Sequence, residues 1–469
     1  MSGNGRGSVG SSADNPVGDS AGKRVGDSAD SGGGSGGGVG GGSGNSGGTS
    51  GGNRARGPFA RPAFRRVWAG ETLSMLGDYS FEVAFLWLVL EHTGSTTLLA
   101  AVLIAQAVPR GLLMLLGGAV TDRVSPRAVL IACHLVRAGA VAALAVASAA
   151  DQVHTWQFFA LGVVVGVAEA FSVPAGGSIL PLVVPRGDLA KANAWVGFGE
   201  QGGRLAGPLL GGVLVTTLGT TEAAWFNAAT FLVAAATLAR LPVDRPTTER
   251  PAEEPADEPR PVGIRAAQAA LRRDIADGLA YARGSREVRA VLLLISAATL
   301  AYAGLFAVGL PALAATYPDG SMTLGILISA WGLGQLLGSV SAALTGLPAR
   351  WGLLIIGMTL CEGTAFAALG FAPTAWGAAA VLVVLGFGVA YSSDVALPAF
   401  VQSRTPVEFL GRVNSVVFLP RTVLEPVSIA LMGVLVATDV RWAFVMAAVP
   451  MLAVGVRLAC DPEARALRA

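Results

Sequence analysis

A set of ionisable side chains interrupts the long apolar stretches of this sequence. A charge at the centre of a hydrocarbon layer costs roughly 2.5 to 3.5 kcal/mol on insertion scales. Charges kept in such stretches are therefore candidates for a function, either in carrying protons or in binding a polar ligand. The candidates are Asp78, Glu82, Arg110, Arg137, Glu169, Glu200, Arg204, Arg421 and Glu425, and Glu362 and Asp394 complete the set.

The acidic members of the set could carry protons. Asp78 and Glu82 lie four residues apart, so a helix would place both on one face. A carboxyl group shielded from water can have its pKa raised toward neutrality, which lets it load and release a proton. We expect Asp78, Glu82 and Glu169 to be the proton sites. The alternative is structural, with each acid permanently paired to Arg110 or Arg137.

Two further charge pairs are related by a shift along the chain. Glu200 and Arg204 are four residues apart, and a shift of 221 residues maps them onto Arg421 and Glu425 with the signs reversed. Each pair could close within its own helix. Alternatively, the pairs could form between two halves of the molecule and exchange partners during a conformational cycle. His134 is expected to be a packing residue.

The composition indicates the kind of element that must position these charges. The chain has 469 residues, of which 52% are hydrophobic and 14% charged, and its mean hydropathy is +0.58. Soluble domains are nearer one quarter charged, so lipid is the expected solvent. The aromatic share of 7% gives no indication of a ring-stacking site. The three cysteines form no CxxC pair, and no metal site is expected.

Twelve apolar runs are each long enough to cross a hydrocarbon layer about 30 Å thick as an α-helix. Only a helix or a closed barrel satisfies every backbone polar group in lipid, and the short alternating segments of a barrel are absent from the sequence. We therefore predict an all-α polytopic membrane protein. The predicted helices are 68–91, 98–121, 127–150, 155–181, 193–219, 222–241, 289–317, 322–346, 351–371, 374–401, 409–437 and 440–460.

The predicted loops carry their basic residues on one side of the membrane. With the amino terminus inside, Arg441 is the one basic residue of the outer loops, while inner segments hold many arginines. Because cytoplasmic loops are enriched in Lys and Arg, both termini are predicted to be cytoplasmic, in a multi-pass protein of the cytoplasmic membrane. The expected partners are the lipid bilayer and a small-molecule substrate, with no nucleic acid.

The chain divides into five predicted segments. Residues 1–58 form a Gly/Ser-rich tail that is expected to be disordered, because it has almost no large apolar side chain. Residues 59–241 and 289–460 form two six-helix halves related by the 221-residue repeat. Between them, 242–288 is a cytoplasmic linker that includes an amphipathic helix near Leu271, Ile275 and Leu279, and 461–469 is a short cytoplasmic tail.

The loop between the second and third helices carries a recognisable motif. Gly118, Asp122, Arg123 and Arg127 resemble the G-x-x-x-D-R-x-G-R-K/R signature of the major facilitator superfamily, although Ser125 and Pro126 depart from it. The resemblance implies a conformational switch in which Asp122 meets the positive N-terminal end of the eleventh helix. The arginines would bind lipid phosphates or partner carboxylates. The alternative is a simple positive-inside loop.

A second motif lies in the fifth helix. Gly203, Gly207, Pro208, Gly211 and Gly212 resemble the G-x3-G-P-x2-G-G element of antiporters in this superfamily, with Ala194 at the family's further upstream glycine. Glycines let helices approach closely, and proline removes a backbone hydrogen bond and favours a bend. Ordinary tight packing is the alternative interpretation.

Finer motifs extend the resemblance to the siderophore-exporter and macrolide-efflux branch of the superfamily. The most specific are Ser74-x-x-Gly77-Asp78, Thr93-Gly94-Ser95 and Pro109-Arg110, with Leu189-Ala190-x-Ala192-Asn193 further on. No Walker-type loop or catalytic motif appears, so the chain is not expected to be an enzyme and needs no cofactor besides a proton gradient.

These motifs predict a proton-coupled exporter of a small organic molecule, such as an antibiotic or a siderophore, working by alternating access. The resemblance implies a monomer. Two other functions stay open: an importer of a small solute or lysolipid on the same fold, and a non-transporting membrane sensor or scaffold.

Overall fold

The computed structural model describes residues 57–121, 124–241, 286–345, 350–391, 407–462 and 465 as helices joined by short turns. The predicted linker helix at 271–283, most of the amino-terminal tail, Asp122, Arg123 and Asp394 lie outside these residues. Pro58, which we assigned to the tail, is buried in a short 3-10 turn at Pro58–Ala60.

Six helices form the N-terminal half, and six form the C-terminal half. The first six are α1 Pro62–Thr93, α2 Thr96–Thr121, α3 Pro126–Ala149, α4 Thr155–Val183, α5 Leu189–Thr217 and α6 Thr220–Ala239. The seventh, α7, consists of Arg286–Gly304, a π-helical turn at Leu305–Gly309, and Leu310–Ala314. The others are α8 Gly320–Thr345, α9 Trp351–Leu369, α10 Ala375–Val389, α11 Val407–Thr438 and α12 Val440–Cys460.

Within the described ranges, nine helices are long and apolar enough to cross a membrane. Ala375–Val389 and Val423–Thr438 are apolar but shorter. The helix α5 is long enough, but Glu200, Gln201 and Arg204 and its glycines lower its hydropathy. All twelve helices fall where the apolar runs predicted them, and residues 392–401 of the predicted tenth helix lie outside the described residues.

The two halves repeat the same packing. In the N-terminal half α1 packs against α5 and α6, α2 against α4, and α3 against α4 and α6. Each of these contacts recurs six helices later, since α7 packs against α11 and α12, α8 against α10, and α9 against α10 and α12. The 221-residue repeat seen in the sequence therefore corresponds to a repeat of structure.

Among the described residues, two helix pairs make most of the contacts between the halves, namely α5 with α8 and α2 with α11. We call the end of the bundle where α1 begins the near end, and the end where α1 ends the far end. Among the described residues, several contacts between the halves lie toward the far end. There the Thr96 hydroxyl donates to the Gly433 carbonyl at 3.3 Å, and the hydroxyls of Thr216 and Ser321 lie 3.1 Å apart.

Candidate functional site

A cavity of about 940 Å³ lies between the halves, and residues of both halves line it. Its volume suits a small organic molecule. Each of the nine ionisable residues singled out in the sequence lies about three turns or more from either end of its helix. Eight of them line the cavity, and the ninth, Glu200, is bonded to one of the eight.

In the N-terminal half, Asp78 of α1 pairs with Arg137 of α3. The Arg137 Nη2 atom lies 2.8 Å from Asp78 Oδ1. The Arg137 guanidinium also lies over the Phe231 ring, 4.2 Å from its centroid. An ionised Arg137, nine-tenths buried, is thus compensated by a carboxylate and an aromatic face.

Arg110 of α2 joins the two halves. It bonds Glu425 of α11 at 2.5 Å, and its other terminal nitrogen lies 3.6 Å from Glu169 of α4. One arginine is therefore shared between an acid of each half. This bond joins Glu425 of α11 to α2 of the other half. The sequence had left Arg421, which precedes Glu425 by one turn in α11, as one possible partner. Arg421 also lines the cavity.

Glu200 and Arg204 close within α5. The Arg204 Nη2 atom donates to Glu200 Oε1 at 2.9 Å, and its guanidinium lies 5.6 Å from the centroid of the Tyr79 ring. The sequence left open whether this pair forms within its own helix or between the halves. The structure shows the pair within the helix.

Glu82 and Glu362 are the remaining described acids of the cavity. Glu82 is exposed to it and forms no hydrogen bond or ion pair with the described part of the chain. Glu362 is only 3% exposed, and its Oε2 accepts a hydrogen bond from the Tyr302 hydroxyl at 3.1 Å.

The aromatic side chains of the C-terminal half were missed by the sequence analysis. Phe306 lies against Trp331 with 4.5 Å between ring centroids, and Tyr302 is nearly parallel to Phe306. All three line the cavity. A low overall aromatic content concealed their concentration on one wall.

A second omission is Glu71, whose Oε1 lies 3.2 Å from Nε2 of His134. We expected His134 to be a packing residue. It is buried and near the Phe231 ring, but it also bonds this acid of α1. The signal was present in the sequence, because Glu71 precedes Asp78 by seven residues and so lies on the same face of α1.

The loop motif between α2 and α3 is described only in part. Arg127 donates to the carbonyls of Leu238 and Ala239 at 2.8 and 2.6 Å. It thereby caps the carboxyl end of α6. The expected binding to lipid phosphates or partner carboxylates stays a prediction. A β-carbon at Gly117 would meet the Ala170 carbonyl of α4, whereas one at Gly118 would meet nothing within 4 Å. Close packing in this conformation therefore requires Gly117, and Gly118 does not contribute to it.

The glycines of α5 serve two interfaces. Gly203, Gly207 and Gly211 face α1, and a β-carbon at Gly211 would meet the Ser80 carbonyl. Gly212 faces α8, where a β-carbon would lie 3.1 Å from Met322 Cα. The carbonyl of Pro208 itself lies close to Gly325 of α8. The motif therefore packs α5 against both its own half and the other half.

The chain is similar in sequence to two known transport proteins. A multidrug efflux pump, Tap, from Mycolicibacterium fortuitum is 27% identical over 426 residues, which is 88% of this chain and 98% of that protein. The enterobactin exporter EntS of Citrobacter koseri is 26% identical over 378 residues, covering 79% of this chain and 85% of the relative.

Among solved structures, a point mutant of the nucleoside transporter NupG superposes with a TM-score of 0.59 over 83% of this chain and 98% of NupG. At 14% identity, this likeness concerns the fold alone. It confirms the predicted arrangement of two six-helix halves. Residues 67–424 match the family described as the Major Facilitator Superfamily, which confirms the resemblance drawn from the motifs. With a matching fold, a matching repeat and a family match over most of its length, the chain belongs to the major facilitator superfamily of membrane transporters.

Proposed function

We propose that this transporter exports a small organic molecule across the cytoplasmic membrane and is driven by inward proton flow. The observation that carries the proposal is Arg110, which binds an acid from each half at the wall of the cavity. A proton exchanged at this position changes the interaction that joins the halves.

The coupling follows from charge. While Glu425 is ionised, its bond to Arg110 holds α2 against α11. Protonation removes the charge from Glu425 and leaves Arg110 with Glu169, an acid of its own half. The halves are then less strongly joined, which favours alternating access around the central cavity.

Glu82 is the proposed second site of proton exchange. It faces the cavity without an ion pair among the described residues, so a bound cationic group and a proton can compete for it. Asp78 already has Arg137, and we propose that it exchanges a proton only when that pair opens.

Direction is proposed from the relatives and from α5. Both named relatives are efflux proteins, and the glycine–proline motif of α5 resembles that of antiporters. With the near end cytoplasmic, the far-end contacts between the halves would lie on the outer side of the cavity. We propose that both termini are cytoplasmic and that the protein acts as a monomer.

The test uses proteoliposomes of known orientation and a panel of hydrophobic antibiotics and siderophores, with and without an imposed pH gradient. Gradient-driven movement in the export direction is expected. It should be lost in Glu425→Gln and Glu169→Gln and strongly reduced in Asp78→Asn. Glu222→Gln, an exposed acid at the far end, is the control and should behave as wild type.

Movement that ignores the gradient and survives all three substitutions would contradict proton coupling. Gradient-driven uptake in the opposite direction would replace export with import. If no compound moved, and if no substitution changed the far-end contacts between the halves, the result would favour a sensor or scaffold.

A further inference from the structure

Most of the buried polar side-chain atoms that lack a hydrogen-bond partner belong to residues around the cavity. Eight such side-chain atoms have no hydrogen-bond partner within the described residues, and six belong to cavity-lining residues. Buried polar atoms in native proteins are nearly always hydrogen-bonded, so a cluster of exceptions calls for a specific explanation. The six residues are Arg137, Glu169, Gln201, Arg204, Trp331 and Gln335.

Two of these atoms lie one turn apart on α8 and are of opposite kinds. Trp331 Nε1 is a donor and Gln335 Oε1 is an acceptor. Gln335 is only 6% exposed, although it lines the cavity. A ligand edge that carries one acceptor and one donor would satisfy both atoms.

Aromatic faces border the same place. The Phe306 ring lies 4.5 Å from that of Trp331, and the Tyr302 ring is inclined by only 13° to that of Phe306. Such flat faces favour a planar ring in offset or edge-to-face contact. The hydrogen-bonding atoms and the apolar faces together specify a planar ring with a polar edge.

The helix that carries Tyr302 and Phe306 is distorted here. Pro311 cannot donate to the carbonyl four residues before it, and the Leu310 amide donates instead to the Leu305 carbonyl, five residues back. One turn earlier, the Ser428 hydroxyl of α11 accepts from the Gly304 amide and donates to the Leu300 carbonyl. Single π-helical turns are frequent at functional sites, and this one places Phe306 at the cavity wall.

The facing segment of α8 is held on two sides. A β-carbon at Gly386 of α10 would meet the Trp331 carbonyl, and one at Gly332 would lie 3.2 Å from the Arg204 carbonyl of α5. This close packing fixes the backbone that carries Trp331 and Gln335, so the two side chains project from a rigid segment.

We infer that this wall is a subsite for the cargo, and that it binds a planar aromatic group bearing a hydrogen-bond acceptor and a donor on one edge. The acceptor receives the Trp331 indole N–H, and the donor bonds the Gln335 carbonyl oxygen. The rest of the cargo extends toward the ionised wall of the N-terminal half. This inference names a cargo class for the proposed export, and so rests on it.

The test is equilibrium binding to purified protein in nanodiscs, without a gradient. The probes are 2-quinolone and coumarin, which share a planar two-ring system and a carbonyl acceptor. 2-Quinolone carries an N–H donor beside its carbonyl on one edge, and coumarin has a ring oxygen at that position. Wild type should bind 2-quinolone about fivefold more tightly, as expected for one net hydrogen bond.

Each substitution then removes one contact. In Gln335→Leu the preference for 2-quinolone should disappear. In Trp331→Phe both probes should weaken about fivefold while the preference stays. Phe306→Leu should weaken both probes, and Trp376→Phe, a residue 74% exposed outside the cavity, is the matched control without effect.

Equal binding of the two probes by wild type, or a preference that survives Gln335→Leu, would overturn the subsite. Failure of wild type to bind either probe would overturn it as well. Because no gradient is present, these results are independent of transport. Binding as expected, with no gradient-driven movement in proteoliposomes, would instead reject the proposed proton coupling.

Discussion

Arg110 is a single residue whose side chain joins the two halves of the molecule. Its bond to Glu425 is short, whereas Glu169 is 3.6 Å away. A hydrogen bond to a charged group is worth about 1.5 to 3 kcal/mol. Since about 1.4 kcal/mol is a tenfold change in an equilibrium, this one contact can decide which conformer is populated.

Glu425→Gln is therefore expected to raise the population with separated far ends about tenfold or more. Spin labels at Gln152 and Trp376, exposed positions at the far ends of the two halves, would report this by double electron–electron resonance. The inter-label distance distribution should gain a longer component. Glu222→Gln should leave it unchanged, and an unchanged distribution in Glu425→Gln would show that the pair does not hold the halves.

Removing one partner of the Asp78–Arg137 pair should have unequal effects. Arg137→Leu leaves an uncompensated carboxylate and should cost about 3 kcal/mol, the lower part of the range for buried pairs, because Asp78 is 31% exposed. Asp78→Asn should cost less, since Arg137 keeps the Phe231 face. Thermal unfolding in detergent measures both.

The double variant Asp78→Asn/Arg137→Leu should recover part of the stability lost in Arg137→Leu. Strictly additive losses would mean that the two side chains do not interact energetically.

At the scale of elements, the small residues decide how closely helices approach. The adjacent glycines at the end of α2 differ sharply, since only Gly117 touches α4. Gly117→Ala should therefore destabilise the protein by about 1–3 kcal/mol, because its methyl group would overlap the Ala170 carbonyl. Gly118→Ala should leave the unfolding temperature unchanged.

Transport by the same two variants separates the roles of the glycines. If Gly118 matters only in another conformation, Gly118→Ala should slow transport at normal stability. Equal loss of stability in both variants would contradict the packing described for this end of α2.

The sequence predicted the elements well, because hydrophobic length alone selects helices in lipid. It predicted the repeat as well, because matching Pro, Asn and basic positions recur at one offset. Partners were harder to predict. For Glu425 the sequence left open an in-helix bond to Arg421 and a bond between the halves, and helix packing brings Arg110 of the other half to it. The partners of Arg127 could not be predicted either, because they are backbone carbonyls of α6 and no sequence motif indicates them.

At the scale of the whole molecule, the fold consists of two similar halves that meet mainly along two equivalent helix pairs. We call each of these interfaces a seam. The seam between α5 and α8 is the counterpart of that between α2 and α11. Movement of one half against the other must therefore open or close both seams near the far end.

A disulfide across the first seam should block that movement. In a chain with its three native cysteines replaced by alanine, Thr216→Cys and Ser321→Cys would place sulfur atoms where hydroxyls lie 3.1 Å apart. Oxidation should abolish transport, and a reducing agent should restore it.

The matched control pair is Ser148→Cys and Thr221→Cys, whose hydroxyls lie 2.7 Å apart within the N-terminal half. This crosslink should form without loss of transport. If the Thr216–Ser321 crosslink formed and transport continued, the far-end seam would not open during the cycle.

The hydroxyl of Ser428 gives α11 a second role. Glu425 and Ser428 are three residues apart and share one turn of α11. A displacement of the Glu425 carboxylate would therefore also move the Ser428 hydroxyl, which bonds α7 one turn before Phe306. In the proposed cycle, the charge of the acid and the position of the aromatic wall would be thermodynamically linked. Such linkage is reciprocal, so a cargo bound at that wall would change the proton affinity of the acid.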